Sequence, residues 1–273
     1  MVLLEYNSHV IRFYTSIGSH LLGECSGWFF KRHFCAESIL IDNGVYHLLR
    51  HNKQMHYKLV VKYGVQNIRK VLNLVRRKDI EIYIVIPDYP FDRKLNHECY
   101  KLFKTYYKDL FKNYKTIYVL HGYWNAILND VDVDLVAIPF NTLSDIPIKD
   151  LRGRKTYRID SNVGKYVIVK TIKYVNEFGY DKVHILGPTK LTLKRIFKQT
   201  CQKLLFDDVK LDMSFVRHIY SFDTVSHHFA SSSDIRLVDY GKGKYMIPNR
   251  NDEIELKWLM KWLEGLPFNV IKI

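Results

Sequence analysis

Several features that mark common classes of protein are missing from this sequence. No stretch approaches the roughly 18 uninterrupted apolar residues of a membrane-spanning helix, so we expect no membrane partner. The first residues lack a basic segment followed by an apolar run, so we expect no secretion signal and a cytoplasmic location, in a host cell or otherwise. Gly/Ser-rich linkers, low-complexity blocks and internal repeats are also lacking. Residues 1–273 are therefore predicted to form a single domain.

Cysteine is scarce, and its spacing argues against metal or redox chemistry. The chain has four scattered cysteines, none of them in a C-x-x-C pair: Cys25, Cys35, Cys99 and Cys201. His47 and His51 have the spacing of two ligands on one helix face, but the glutamate of a metalloprotease helix does not lie between them. We predict no bound metal and no cofactor.

Acidic residues are outnumbered by basic ones. Lysine and arginine total 42 against 28 aspartates and glutamates, which gives a formal net charge of +14. This excess favours a polyanionic partner, because each phosphate that a basic side chain neutralises releases counterions. A compositional bias is the alternative explanation, since Lys, Ile and Tyr are abundant along the whole chain.

Short apolar runs alternate with longer basic amphipathic segments. The runs occupy residues 38–41, 80–86, 116–120, 135–138, 183–186 and 218–222. The helix-like segments occupy residues 57–77, 98–112, 165–178 and 191–205. This alternation predicts βαβ units and a parallel sheet that is buried on both faces.

Polar and turn-forming residues follow the predicted strands. Asp42-Asn43-Gly44 follows the first run, His121-Gly122 the third and Gly187-Pro188 the fifth. In a parallel barrel, a site is built at the carboxyl ends of the strands. A doubly wound open sheet gives a similar pattern, with its ligand at the switch point of the strand order. The pattern leaves the barrel and the open sheet as alternatives.

Asp42 and Asp223 are the two carboxylates that we single out first for chemistry. Each is preceded by an apolar run and followed by small or turn-forming residues, which suggests a strand end that faces a pocket. Two carboxylates in one site can divide nucleophilic and acid–base roles, because burial and mutual repulsion push their pKa values apart. The alternative for each is an ordinary helix N-cap or loop aspartate.

Five segments at successive strand ends follow the motif order of one enzyme family. They are Asp42-Asn43-Gly44-Val45-Tyr46-His47, Ile117-Tyr118-Val119-Leu120-His121-Gly122, Val133-Asp134-Leu135-Val136-Ala137-Ile138-Pro139, Leu186-Gly187-Pro188 and Ser221-Phe222-Asp223-Thr224-Val225. In this order they resemble the active-site segments of the tRNA-guanine transglycosylases, over residues 39–229. A hydroxyl residue follows Asp223, and in this the segment resembles the nucleophile segment of the shorter viral and bacterial branch. That branch inserts deazaguanines into DNA. The resemblance implies a single-domain α/β fold of the (β/α)8, TIM-barrel type.

The resemblance also implies a base-exchange reaction. Asp223 would be the nucleophile that attacks the anomeric carbon of a guanine nucleotide, and Asp42 the general acid/base that takes the ring proton of the incoming 7-deazaguanine. The base would be bound by Tyr46, Asp88, His121, Gly122, Ile138 and Gly187. The implied partners are DNA or tRNA and a free deazaguanine base.

Three further residues are candidate nucleic-acid contacts. Lys242 and Lys244 lie in a Gly-Lys-Gly-Lys-Tyr segment that is either a phosphate-contacting loop or an ordinary solvated turn. His227 follows the proposed nucleophile and is interpreted as part of the pocket rim.

Departures from the family pattern support other hypotheses. Val45 and Pro139 stand where the family has glycine, and two family glutamines are replaced by histidine. These replacements favour a non-catalytic nucleic-acid-binding or virion-associated protein on a degenerate barrel. Retention of both aspartates favours the hypothesis of an active enzyme. The absence of the zinc motif of tRNA-modifying members favours DNA over tRNA as the acceptor. An unrelated open α/β sheet is a third hypothesis.

Overall fold

A computed structural model gives the protein a mixed α/β fold built on one large sheet. The structure describes residues 2–15, 38–51, 54–75, 79–90, 92–140, 161–188, 190–197, 213–224, 235–239, 244–248 and 263–272.

The described residues form eleven strands. These are β1 (Val2–Tyr6), β2 (His9–Thr15), β3 (Ser38–Ile41), β4 (Glu81–Val85), β5 (Lys115–Val119), β6 (Leu135–Pro139), β7 (Val183–Leu186), β8 (Ile219–Thr224), β9 (Ile235–Asp239), β10 (Lys244–Pro248) and β11 (Asn269–Lys272). Nine of them form one sheet in the order β11-β1-β2-β8-β7-β6-β5-β4-β3, and β9 and β10 form a separate antiparallel pair. From β2 to β3 in this order every neighbouring pair is parallel, whereas β1 is antiparallel to β2 and β11.

Five α-helices connect the strands within the described ranges. They are α1 (Val45–His51), α2 (Tyr57–Leu74), α3 (Arg93–Tyr106), α4 (Ser161–Asn176) and α5 (Lys190–Ile196). The start of α3 is fixed by Asp92, whose Oδ1 accepts hydrogen bonds from two N–H groups of the first turn. Those N–H groups have no partner within the helix, so this cap stabilises α3 at the point where the chain leaves β4.

The central strands carry apolar side chains on both faces. One face packs against the helices in a large core that includes Ile84, Tyr118 and Val136. The other face forms a second, smaller cluster of Tyr83, Val85, Ile117, Val119, Leu135 and Ala137. Burial on both sides explains why these strands read as continuous apolar runs in the sequence.

The sheet curls into a half-barrel. Three side-chain pairs join strands that are far apart in the sheet order: Arg12–Glu81 at 2.7 Å, Tyr14–Ser38 at 2.9 Å between hydroxyl oxygens, and Tyr83–Tyr220 at 2.8 Å between hydroxyl oxygens. The strands β2 and β8 therefore face β3 and β4 across the concave side. Lys115 also pairs with Glu81, so a charged and aromatic layer lies at the amino end of the half-barrel.

The structure confirms the six predicted strands, each within two residues of its predicted bounds, and their parallel arrangement. The antiparallel strands β1 and β11 were not predicted. The β1–β2 turn uses Asn7 and Ser8, both with positive φ, and so lacks the Asn-Gly signal typical of this hairpin. A complete (β/α)8 barrel is not seen, because β2 pairs with the antiparallel β1 as well as with β8, and no ladder joins the edge strands β3 and β11 within the described residues.

Candidate active site

The three predicted site carboxylates meet at the carboxyl edge of the curled sheet. Asp42 follows β3, Asp88 follows β4, and Asp223 lies near the end of β8. Burial raises the pKa of Asp42 to about 6, with further contributions from the charges of Asp88 and then Asp223. Although β3 and β8 are five steps apart in the sheet order, the curl brings their carboxylates within each other's electrostatic range.

Asp42 differs from Asp88 and Asp223 in its burial. The residue as a whole is half-buried, whereas Asp88 and Asp223 are buried, but the carboxyl group of Asp42 is packed against the protein, which is why burial raises its pKa. Its Oδ1 accepts a long, 3.4 Å hydrogen bond from the backbone N–H of Gly44, which partly offsets the effect of burial on its pKa. A carboxylate with a pKa near neutrality can both accept and donate a proton at physiological pH.

Asp223 is held by two donors on the neighbouring strand and turn. Its Oδ1 accepts a 2.9 Å hydrogen bond from the N–H of Gly187 and lies 3.1 Å from Nε2 of His184. The other ring nitrogen of His184, Nδ1, lies 2.8 Å from the hydroxyl of Ser221. The result is a buried chain of hydroxyl, imidazole and carboxylate on β7 and β8.

No role was predicted for His184 or for Ser221, although Ser221 begins the Ser221-Phe222-Asp223 segment. A signal was available, because His184 is a polar residue inside the apolar run of β7, which is buried on both faces. A polar side chain at such a position needs a hydrogen-bond partner. The shift in the β7–β8 register between Val183 and His184, which sets the partners of His184, could not be predicted from the sequence.

Asp88 is bound by two protein donors. Its Oδ1 accepts a 2.8 Å hydrogen bond from the side-chain amide of Asn43, and its Oδ2 contacts Nε2 of His121 at 2.5 Å. The predicted base-binding residues Asp88 and His121 are thus brought together as a buried pair. Both oxygens of the carboxylate already have a partner before any base is bound.

Asn43 connects the ends of β3 and β4, a role that was not predicted for it. Its amide nitrogen also donates to the carbonyl of Ile86, and its Oδ1 accepts from the N–H of Val45 at the start of α1. The side chain of Asn67 on α2 donates to the backbone carbonyl of Asn43. This buried network fixes Asp42 and Asp88 relative to one another.

Gly122 and Gly187 both adopt left-handed backbone conformations. Their φ angles are 94° and 66°, values that a residue with a side chain adopts only with strain. Gly187 thereby turns its N–H toward Asp223. Gly122 is followed by Tyr123, also at positive φ (55°), whose hydroxyl donates to the carbonyl of Pro139 at the end of β6.

The remaining predicted residues differ in their placement. Tyr46 lies half-buried in α1, directly after the Asp42-Asn43-Gly44 turn. Ile138 is fully buried in the large core between sheet and helices, so its side chain is not part of the concave surface. Lys244 begins β10 in the separate two-stranded sheet. Lys242 and His227 lie outside the described residues.

A separate cavity of about 380 Å³ lies at the amino end of the half-barrel. Tyr83, Lys115, Lys182 and Tyr220 are among its lining residues. None of the predicted site residues lines it, and the charged layer of Arg12 and Glu81 lies beside it. The candidate site is therefore the carboxyl edge, where Asp42, Asp88 and Asp223 lie.

Comparisons with protein-family models, curated proteins and solved structures found no match to this chain. In the part of the chain that the structure describes, every helix is too short or too polar to span a lipid bilayer. The same residues contain no group of three or more His, Cys, Asp or Glu side chains that could hold a metal ion.

Proposed function

We propose that the protein is a base-exchange transglycosylase that replaces guanine in DNA with a 7-deazaguanine. The observation that carries this proposal is the convergence of Asp42, Asp88 and Asp223 at one edge of the curled sheet, with the pKa of Asp42 raised to about 6. A reaction that breaks and remakes a glycosidic bond needs a fixed nucleophile and a proton carrier. Asp223 and Asp42 have the properties for these two roles.

In the first step, a carboxylate oxygen of Asp223 attacks C1′ of a guanine nucleotide. A C1′–O ester bond forms while the C1′–N9 bond breaks, and the electron pair of that bond leaves with guanine. Asp42 in its protonated form gives the departing base its proton. The hydrogen bonds from Gly187 and His184 hold Asp223 in place while this happens.

In the second step, the deazaguanine occupies the position that guanine has left. Asp42, now a carboxylate, accepts the N9 proton of the incoming base. N9 then attacks C1′, and the ester bond to Asp223 breaks with its electron pair returning to the carboxylate. The two steps use the same two aspartates in reverse order, so both are restored at the end of the cycle.

Base recognition is assigned to the pair of Asp88 and His121. Asp88 accepts hydrogen bonds from the donor edge of the base, using the second lone pair of each oxygen, and His121 adds a further contact. Tyr46 provides a flat aromatic face close to Asp42. The target nucleotide has to leave its stack to reach this edge, at a cost of a few kcal/mol.

We infer that the half-barrel is a variant of the (β/α)8 barrel in which side-chain contacts, and not a ladder, bridge the seam between β2 and β3, since β2 already pairs with β1 and β8. The hydroxyl–hydroxyl contact of Tyr14 with Ser38 across that seam supports this interpretation. The cytoplasmic location and the DNA partner remain predictions. The net charge of +14 and the similarity of the nucleophile segment to the DNA-modifying branch support DNA, and tRNA is the alternative acceptor.

A base-exchange assay tests the proposal. Purified protein is incubated with radiolabelled guanine, or with a deazaguanine, and with duplex DNA, single-stranded DNA or tRNA in separate reactions. We expect incorporation into DNA, and a loss of at least about a thousand-fold in Asp223→Asn. Asp109→Asn, which alters an exposed carboxylate on the 3-10 helix Lys108–Phe111, is the matched control and is expected to exchange like the wild type.

Binding without catalysis is the second candidate. It is supported by the fact that both oxygens of Asp88 are already bound by Asn43 and His121, which leaves less capacity for a base. A folded protein that binds DNA in a salt-dependent manner, yet incorporates no label into any polymer, would establish this alternative.

A further inference from the structure

The two carboxylate oxygens of Asp223 have different surroundings. Oδ1 accepts from Gly187 N–H at 2.9 Å and contacts His184 Nε2 at 3.1 Å. No described residue donates a hydrogen bond to Oδ2. An oxygen that already accepts two hydrogen bonds is a weaker nucleophile than one that accepts none, because its electron pairs are engaged.

The proposed role of Asp223 implies which nitrogen of His184 carries a proton. Asp223 has to be ionised to act as the nucleophile, and an ionised carboxylate can only accept hydrogen bonds, so Nε2 is the donor toward Asp223. In the neutral ring Nδ1 is then an acceptor, and Ser221 is placed to donate its hydroxyl proton to it. Ser221 therefore orients the imidazole, which in turn orients Asp223.

Ser221 itself is not a candidate nucleophile. The same three residue types form the catalytic groups of serine hydrolases, but there the serine must reach a substrate. Ser221 is only 1% exposed and lies under His184, which is itself fully buried. A substrate carbonyl could not approach its hydroxyl.

We propose that His184 is a positioning residue of the base-exchange site: with Gly187 N–H it holds Oδ1 of Asp223, so that Oδ2 is the oxygen that attacks C1′. This inference rests on the proposed function. His184 does not touch the substrate, and it acts through the orientation of Asp223. The ring is in turn held by Ser221 and by an edge contact with Tyr14, at 6.3 Å between ring centroids.

The test compares two replacements of His184 that differ in one property. Gln places an amide N–H close to the position of Nε2 and can still donate to Asp223, whereas Leu fills the space without a donor. His97→Leu is the matched control, because His97 is also buried but lies on α3 with no contact to Asp223. Thermal unfolding of each variant reports whether the fold is retained.

The first readout is the single-turnover rate of covalent adduct formation with a guanine-containing DNA oligonucleotide, measured by intact-protein mass spectrometry. We expect His184→Leu to slow the adduct rate about 10- to 100-fold, as the loss of one hydrogen bond to a charged group would. His184→Gln is expected to recover most of that loss. Oligonucleotide affinity should stay within about two-fold in both, since a positioning residue affects the chemical step and not binding.

The second readout needs no reaction. In protein labelled with 15N-histidine, the ring signals of His184, assigned by their loss in His184→Gln, are expected to show the tautomer with a proton on Nε2. A proton on Nδ1 alone would overturn the inference, because Nε2 could then not donate to Asp223.

The outcomes separate this inference from the proposed function. An adduct rate in His184→Leu equal to that of the wild type, in a folded protein, overturns the role of His184 and leaves the transglycosylase proposal intact. Equal losses in His184→Leu and His184→Gln also overturn it, since the donor would then not be what matters. Failure of the wild type to form an adduct with DNA or tRNA defeats both.

Discussion

The side-chain amide of Asn43 donates a 2.8 Å hydrogen bond to Oδ1 of Asp88, and both residues are buried at the carboxyl edge of the sheet. Asn43 is also the neighbour of Asp42 in the chain, so one side chain sets the distance between two of the three site carboxylates. Its three side-chain hydrogen bonds join β3, β4 and α1 at this point.

Replacing Asn43 with alanine should destabilise the protein. The change leaves the buried Asp88 carboxylate, the Ile86 carbonyl and the Val45 N–H without this partner, at an expected cost of about 2–4 kcal/mol in the free energy of unfolding. Urea denaturation measures the effect. The exposed Asn125→Ala is the control and should change stability by less than about 0.5 kcal/mol. Equal stabilities of the two variants would show that the network does not form in solution.

Gly64 on α2 is needed for the close approach of that helix to Pro87, next to Asp88. A Cβ atom at Gly64 would lie 2.8 Å from Cγ of Pro87. We therefore expect Gly64→Ala to destabilise the protein by about 1–3 kcal/mol, although alanine favours a helix by up to about 1 kcal/mol. The exposed Gln66→Ala in the same helix should be close to neutral. Thermal unfolding compares them, and a stabilised Gly64→Ala would contradict the close packing.

The raised pKa of Asp42 predicts a pH-dependent stability difference between the wild type and Asp42→Asn. The folded protein keeps the Asp42 proton up to about pH 6, whereas the unfolded chain releases it near pH 4. Ionised Asp42 thus disfavours the folded state above pH 6, by up to about 3 kcal/mol. Asp42→Asn lacks this penalty, so its stability relative to the wild type should increase between pH 4 and pH 7. Urea denaturation at pH 4 and at pH 7 measures this stability difference. A difference that is the same at the two pH values would argue against the raised pKa.

The Tyr14–Ser38 contact predicts measurable coupling between β2 and β3. In a double-mutant cycle, Tyr14→Phe and Ser38→Ala should show a coupling energy of about 0.5–1.5 kcal/mol, the usual net value of one hydrogen bond. The same cycle with Tyr14→Phe and Thr105→Ala, a hydroxyl that bonds within α3, should give a coupling near zero. If the two single changes alter the free energy of unfolding additively, Tyr14 and Ser38 are not in contact across the seam.

The strands and the carboxylates could be predicted because the relevant signals are local. A parallel strand buried on both faces is a continuous apolar run, and the polar residue at its end lies at a common edge. These local signals pointed to Asp42 and Asp223, and the family resemblance added Asp88. Local signals did not reveal His184, since its partners are 37 and 39 positions away and depend on the β7–β8 register. The curl of the sheet depends on pairs such as Arg12 and Glu81, 69 positions apart, which no local pattern reveals.

The incomplete closure of the barrel has a similar origin. The family resemblance implied eight parallel strands, but residues 2–6 form an antiparallel strand beside β2 and pair with β11. Whether a strand joins the sheet in parallel or antiparallel fashion depends on its connection, and the β1–β2 hairpin uses a turn without glycine.

The most direct test of the central claim is isolation of the covalent intermediate. Protein is mixed with a guanine-containing DNA oligonucleotide, and with tRNA in parallel, without an incoming base, then quenched and digested, and the peptides are analysed by mass spectrometry. We predict a sugar-linked nucleotide fragment on the peptide that contains Asp223, attached at that residue and absent in Asp223→Asn. A fragment attached to another residue, or no adduct with either polymer, would contradict the account.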